Sequence, residues 1–434
     1  MRGLMMQVPN EQSKPKKHRG QRFFRGLDLP LITMILAMYG IGMVAVANAT
    51  PITDDPTGTL FKQMGFDIVA LAILVAIYRL PINFRSRGET FGWAGIGISL
   101  FLFFIAMFQP AINGAKGWIR LTGVSIQPVE FFKVALVLLF SSYFSSERSF
   151  YKQPPVYSAE VQGIVPKLRR FIHDPKFMLR DLLQFVTHVR KGPLLAFFIG
   201  EGFLFLFPDM GGILVTTGIL AIIALSSGIF RNHLVKVVAI IALIATGYYW
   251  ILPNFTHLVT SWMQPYQASR LTAYLDPWAS ADSSGTQIIN SYYAMSNGGW
   301  FGRGLGDSLQ KNGSLPEANT DFIMAIVGEE VGVIGVFVIL AILLYIVFRI
   351  IYWSFQTKNM NFRLLLIGVA AYLMLQIIIN LGGVTGTLPI TGITFPFISA
   401  GGSSAVSLGM AMGVVLSVIR RIKEDNQEKN EGKE

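Results

Sequence analysis

Cysteine is absent from the 434 residues, so neither a disulfide nor a thiolate metal site is available. Histidine is scarce; the five present are scattered, without the spacing of metal ligands. Charge is thin as well. Only 14% of residues are charged against 52% hydrophobic, which argues against a soluble multidomain enzyme. No Walker loop, dinucleotide fingerprint, zinc-protease helix or nucleophile elbow occurs. The net charge of +11 raises nucleic acid as a partner, but the basic residues flank apolar runs, which points to a membrane and to no nucleic acid.

What the chain has in abundance is apolar runs long enough to cross a hydrocarbon core of roughly 30 Å. The first, Leu29 to Ala49, follows seven Lys and Arg in the first 27 residues. Ala47-Asn48-Ala49 offers a small-residue cleavage pattern. The run nevertheless exceeds the roughly 7–15 apolar residues of a signal peptide, which predicts an uncleaved first helix. Further spans read as Gly65–Ile77, Trp93–Phe108, Pro128–Phe144, Leu194–Phe207, Gly211–Ile229, Leu234–Leu252, Phe322–Phe348, Leu364–Leu381 and Gly402–Val418. The expectation is an all-α polytopic membrane protein with about ten transmembrane helices. With the basic N-terminus inside, most Lys and Arg fall on cytoplasmic segments, as the positive-inside rule requires, and both termini are cytoplasmic.

The organisation follows. Residues 1–28 form a basic cytoplasmic N-terminus, 29–420 the transmembrane domain, and 421–434 a charged tail expected to be disordered. Within the domain, 145–192 is a basic cytoplasmic segment suited to an interfacial helix on anionic lipid. The segment 253–321 is a large extracellular loop between helices 7 and 8. Its Trp262, Trp278, Trp300, Tyr292 and Tyr293 argue against disorder.

Charged residues inside or beside the spans are the candidates for chemistry, because they are costly at membrane depth. Glu130 and Lys133 stand three apart on one helix face and can pair. Asp209 caps the start of a span. Asp276 and Asp282 lie in a turn-rich segment beside Trp278, where a carboxylate can act as a general base or simply cap a turn. Glu317 and Asp321 lead into a span, Asp321 as an N-terminal cap, and Glu329-Glu330 further in require a Lys or Arg partner. The stretch Pro389 to Ser404, with Gly401, Gly402, Ser403 and Ser404, ends in a helix start whose N–H groups suit a pyrophosphate; close helix packing explains its glycines equally well. Taken alone, these residues fit an enzyme acting on a lipid-linked substrate or a transporter of one.

Seven segments, in order, resemble the SEDS family (shape, elongation, division and sporulation), which includes RodA, FtsW and SpoVE. They are Asn113-Gly114-Ala115-Lys116-Gly117-Trp118-Ile119-Arg120, Gln127-Pro128-Val129-Glu130-Phe131-Phe132-Lys133, Pro208-Asp209-Met210-Gly211, Asn297-Gly298-Gly299-Trp300-Phe301-Gly302-Arg303-Gly304-Leu305-Gly306, Leu315-Pro316-Glu317-Ala318-Asn319-Thr320-Asp321-Phe322, Gly328-Glu329-Glu330-Val331-Gly332, and Phe395 to Ser404. The long cytoplasmic segment and the stretch from Ser291 to Trp300 look closer to the division type, FtsW.

The resemblance implies a multi-pass protein of the bacterial cytoplasmic membrane. It implies a peptidoglycan glycosyltransferase that polymerises lipid II at the outer face, with inversion, alongside a class B penicillin-binding protein and other divisome or elongasome membrane proteins. A lipid II flippase and a catalytically silent scaffold are the alternatives. No cofactor is implied for certain, and a divalent cation is compatible with the pyrophosphate chemistry. The resemblance carries over Arg120, Glu130, Lys133, Asp209, Glu317, Asp321 and Ser403 as substrate contacts. Aligned on Asp276-Pro277-Trp278, the family's proposed catalytic Asp falls on Ser280; aligned on Gly285 it falls on Asp282. Asp282 is therefore the leading base and Asp276 the second. Asn319 replaces the family's usual histidine, which removes a titratable group.

Overall fold

The structure is a computed structural model that describes residues 26–51, 55–80, 84–110, 116–121, 124–145, 190–228, 254, 256–261, 263–312 and 315–431. The expected span Leu234–Leu252, most of the basic segment 145–192, most of the N-terminal arm and Asn113-Gly114-Ala115 lie outside the described residues.

Proline and aspartate start the helices. Asp28 accepts from the Leu31 N–H at 3.2 Å ahead of α1 (Leu29–Ala49), and Asp55 accepts from the Gly58 N–H at 3.0 Å ahead of α2 (Pro56–Arg79). In both helices proline occupies the first turn, where a missing N–H costs nothing. Next come α3 (Phe84–Ala106), a short antiparallel hairpin of β1 (Ile119–Leu121) and β2 (Val124–Ile126), and α4 (Pro128–Tyr143). Then follow α5 (Lys191–Leu206) and α6 (Met210–Ser226). The expected loop 253–321 is itself structured, with α7 (Thr256–Ser261), α8 (Pro265–Leu275), a 3₁₀ turn at Trp278–Ser280 and α9 (Thr286–Gly298). The chain closes with α10 (Ile323–Phe355), α11 (Met360–Val384) and α12 (Gly402–Glu431).

Nine of the ten expected spans are thus helical among the described residues, and six helices are long and apolar enough to cross a membrane. Burial separates centre from rim. The apolar windows of α11 and α12 are 72% and 83% buried, against 22% in α2 and 28% in α3 and α10. Every residue of α4 but Phe131 is buried. Helices α4, α11 and α12 therefore form the core, and α1, α2, α3, α5 and α10 present apolar faces outward, as a bundle in lipid does.

Two expectations change here. The tail from 421 is helical through Glu431, because Arg420 and Arg421 pair with Glu424 at 3.9 and 3.3 Å on consecutive turns of α12. Asp321 caps nothing: Phe322 occupies the N-cap of α10 without a side-chain bond.

Near its start α10 is broken at Gly332, whose φ is +68°. The glycine-rich segment after α9 crosses this break. Arg303 and Gly304 N–H donate to the Glu329 and Glu330 carbonyls at 2.9 and 3.0 Å, while Val333 and Ile334 N–H donate to Gly299 and Trp300 at 3.0 and 3.2 Å. A Cβ on Gly332 would lie 2.4 Å from Gly302 N, and one on Gly302 2.2 Å from the Glu330 carbonyl oxygen. Only bare backbone fits at this crossing.

Candidate functional site

Glu130 and Lys133 fall on the first turns of α4, three residues apart, and meet at 2.7 Å with 4% and 2% of their side chains exposed. The second carboxylate oxygen of Glu130 accepts from the Tyr372 hydroxyl on α11 at 3.1 Å and from Ser407 on α12 at 3.2 Å. The Lys133 ammonium also sits 5.1 Å from the Tyr372 ring centroid. All three core helices therefore converge on one ion pair. A pair this deeply buried is tolerated only with its remaining valences satisfied, and the two hydroxyls satisfy the carboxylate.

Asp209 joins this pair to a second cluster. It caps α6 through the Gly212 N–H at 2.7 Å, as expected, and the charges of Lys133, Glu130 and Arg270 all act on it. Burial raises its carboxyl above the usual range, opposed by the Gly212 N–H. Burial likewise pushes Asp321 up to about 6, opposed by Arg270 and reinforced by Glu317 and Asp209.

Arg270 is the residue that motif reading passes over. It projects from α8 with its guanidinium 4.4 Å from the Tyr266 ring centroid, and donates to the Ile390 carbonyl at 3.5 Å. Tyr274, one turn on, donates to the Thr387 carbonyl at 3.3 Å, so α8 lies across the loop between α11 and α12. Within that loop Gly392 adopts φ +77°; a Cβ there would lie 3.2 Å from Arg270 Nη1 and 3.3 Å from Asp321 Oδ2. A guanidinium and a carboxylate thus flank a stretch of bare backbone. The sequence signal was available only as the i, i+3, i+4, i+7 face Gln267, Arg270, Leu271, Tyr274, which reads equally as an ordinary amphipathic helix.

Of the other sequence candidates, Glu317 acts on Asp321, whereas Asp276, Asp282, Arg120 and Ser403 make no hydrogen bond or ion pair with this cluster among the described residues. Asp276 and Asp282 lie on the exposed turn between α8 and α9. Asp276 accepts from the Ala279 N–H at 3.0 Å, whereas Asp282 accepts no hydrogen bond among the described residues. Arg120 is exposed on β1 opposite Ser125. The Ser403 hydroxyl is committed to the hairpin, accepting from Gln127 N–H at 2.9 Å and donating to the Ser125 carbonyl at 3.3 Å; it anchors β2 to α12 and is not open to an anion. Glu317 is exposed at φ +56° and accepts from the Thr320 hydroxyl at 2.7 Å.

The Glu329 and Glu330 pair does find partners. Glu329 accepts from Asn297 at 3.0 Å, Ser308 at 2.5 Å and the Gln310 N–H at 3.2 Å. Lys311 stands 3.8 Å from Glu330. These bonds fasten the segment between α9 and α10 to the broken helix. Among the described residues, no three of His, Asp and Glu gather as a metal site.

The family model described as cell cycle protein, FtsW/RodA/SpoVE, matches residues 28–424. The chain belongs to the FtsW/RodA/SpoVE family. It is 32% identical over 423 residues to a probable peptidoglycan glycosyltransferase FtsW of Lactococcus lactis, covering 93% of this chain and 95% of that one. It is 31% identical to stage V sporulation protein E of Bacillus subtilis, covering 91% and 97%. Among solved structures it is similar to a chain from a study of polymerization and crosslinking by a peptidoglycan synthase complex, with 24% identity, TM-score 0.65, and coverage of 91% and 98%. It is also similar to the rod shape determining protein RodA of Thermus thermophilus, with 22% identity, TM-score 0.57, and coverage of 92% and 98%. These two likenesses bear on the fold. Family membership and the six apolar helices make this a multi-pass protein of the bacterial cytoplasmic membrane.

Proposed function

We propose that this chain is a peptidoglycan glycosyltransferase that polymerises lipid II at the outer face of the cytoplasmic membrane, for cell division or cell shape, together with a class B penicillin-binding protein. The observation that carries the reading is the charged assembly in which a buried Lys133–Glu130 pair and Arg270 act on Asp209, and Arg270 and Asp209 act on Asp321. Relatives named probable peptidoglycan glycosyltransferase support it.

The acceptor sugar's 4-hydroxyl attacks the anomeric carbon of the donor, the new C–O bond forms with inversion, and the bond to undecaprenyl pyrophosphate breaks with its electron pair. Asp282 takes the hydroxyl proton. It is preferred over Asp276 because Asp276 is held by the Ala279 N–H while Asp282 accepts no hydrogen bond among the described residues. Arg270 and Lys133 supply positive charge for the leaving diphosphate, Arg270 with the planar donor fork suited to it. A flippase would use the same buried pair to pass a charged head group, yielding movement without polymer.

Labelled lipid II, the purified chain and its class B partner, resolved on gels, decide between these. Glycan strands are expected from wild type and a loss of about 10²-fold or more in Asp282→Ala, with Asp276→Ala milder. Absence of polymer from wild type overturns the assignment as a polymerase, and full activity in Asp282→Ala overturns its base. Arg270→Ala is expected to lower kcat/KM by about 10²–10³-fold, the scale on which one preorganised charge partner is lost.

A further inference from the structure

A buried polar stripe runs along one face of α11. Tyr372, Gln376 and Asn380 stand four residues apart, so their side chains share a face at steps of about 6 Å along the axis. Their exposures are 0%, 0% and 4%. Both ends of the stripe are anchored: Tyr372 on Glu130 and Ser407, each at 3.1 Å, and Asn380 on the carbonyls of Asp321 at 2.8 Å and Ile393 at 2.7 Å. The middle is not. Among the described residues, neither Nε2 nor Oε1 of Gln376 meets a hydrogen-bond partner, and Asn380 Oδ1 meets none. Lys133, beside Tyr372, has three N–H donors and Glu130 as its one acceptor among the described residues.

A buried amide left without hydrogen bonds is costly, and native proteins rarely keep one. Here donors and acceptors lie unused together between two ends that are each anchored by hydrogen bonds. The group that fits must both donate and accept and must be small enough to lie between packed membrane helices. Water has that chemistry, with two to four polar partners for each molecule.

We propose that Gln376 organises a column of ordered water linking the Glu130–Lys133 pair to the Asp321 end of the site. Gln376 is a positioning residue: it touches no reacting atom, and it holds the solvent through which the ion pair communicates with the outer cluster. The hydration stands independently of the reaction, while its bearing on glycosyl transfer rests on the function proposed above.

The test is X-ray hydroxyl-radical labelling of the full chain in lipid nanodiscs, read by mass spectrometry, because ordered water beside a ring labels it despite burial. Tyr372 is expected to label several-fold faster than Phe132, also 0% exposed but packed on Phe103 and Gly200, after correction for intrinsic reactivity. Gln376→Met is expected to reduce that labelling several-fold. Wild-type Tyr372 labelling no faster than Phe132, or equal labelling of Tyr372 in a folded Gln376→Met, overturns the proposal. The wild-type comparison decides even where the variant fails to fold, and neither reading depends on polymer synthesis.

Discussion

Among the described residues Lys133 is held by one carboxylate and one ring face, in surroundings that would not tolerate it alone. Removing one member of such a pair leaves an uncompensated buried charge, at a cost of about 3–5 kcal/mol, whereas replacing both with apolar groups is often far milder. Thermal unfolding in detergent is therefore expected to show a deep loss in Lys133→Met and partial recovery in Glu130→Gln/Lys133→Met. Asp321 gives a pH signature. Its carboxyl is raised from the model-peptide value of 3.8 to about 6, so the folded state binds more protons than the unfolded state between those values. Its contribution to stability is present below about pH 4 and is lost as pH rises through about 6. The unfolding midpoint is expected to fall across that window in wild type, and to fall less in Asp321→Asn. The Glu130–Lys133 pair is legible in the sequence because two opposite charges three apart interrupt an apolar run. Tyr372 and Ser407, which complete it, are not legible, because an isolated hydroxyl in an apolar helix carries no mark of what it faces. Arg270 escapes for the opposite reason, since a cation on an amphipathic helix is commonplace.

At the scale of elements, the glycine-rich segment after α9 is conspicuous in sequence, yet its meaning is backbone packing. Gly332→Ala forces a side chain into φ +68° and against Gly302 N at 2.4 Å. Left-handed strain and overpacking each cost about 1–3 kcal/mol, so a loss of about 3 kcal/mol is expected in thermal unfolding. Gly65→Ala, whose added Cβ meets nothing within 4 Å in the middle of α2, is the control and is expected to be neutral or slightly stabilising. Helix cores are read well from hydropathy, as α1 shows, with its span and its helix both running Leu29–Ala49. Helix ends are read poorly. The continuation of α12 to Glu431 rests on ion pairs between successive turns, and the helices α8 and α9 are too polar to register against the spans around them.

For the molecule as a whole, the sequence reading places both termini on the cytoplasmic side. The complete lack of cysteine allows a direct check, because single cysteines can be introduced without background. Ser283→Cys is expected to react with an impermeant maleimide on intact cells, and Glu428→Cys only after the membrane is opened; the reverse pattern would invert the topology. The ion pair has one more consequence, for the order of assembly. The crossing at Gly332 joins segments about thirty residues apart, as in the bond from Asn297 to Glu329, a separation of 32. Glu130, in contrast, bonds to residues 242 and 277 positions further along the chain. Contacts of such separation close late in folding, after local units have formed. The buried pair is therefore among the last parts of this protein to mature, and a chain still emerging from the ribosome, its final helix not yet inserted, holds the charges without the Ser407 hydroxyl that helps complete them.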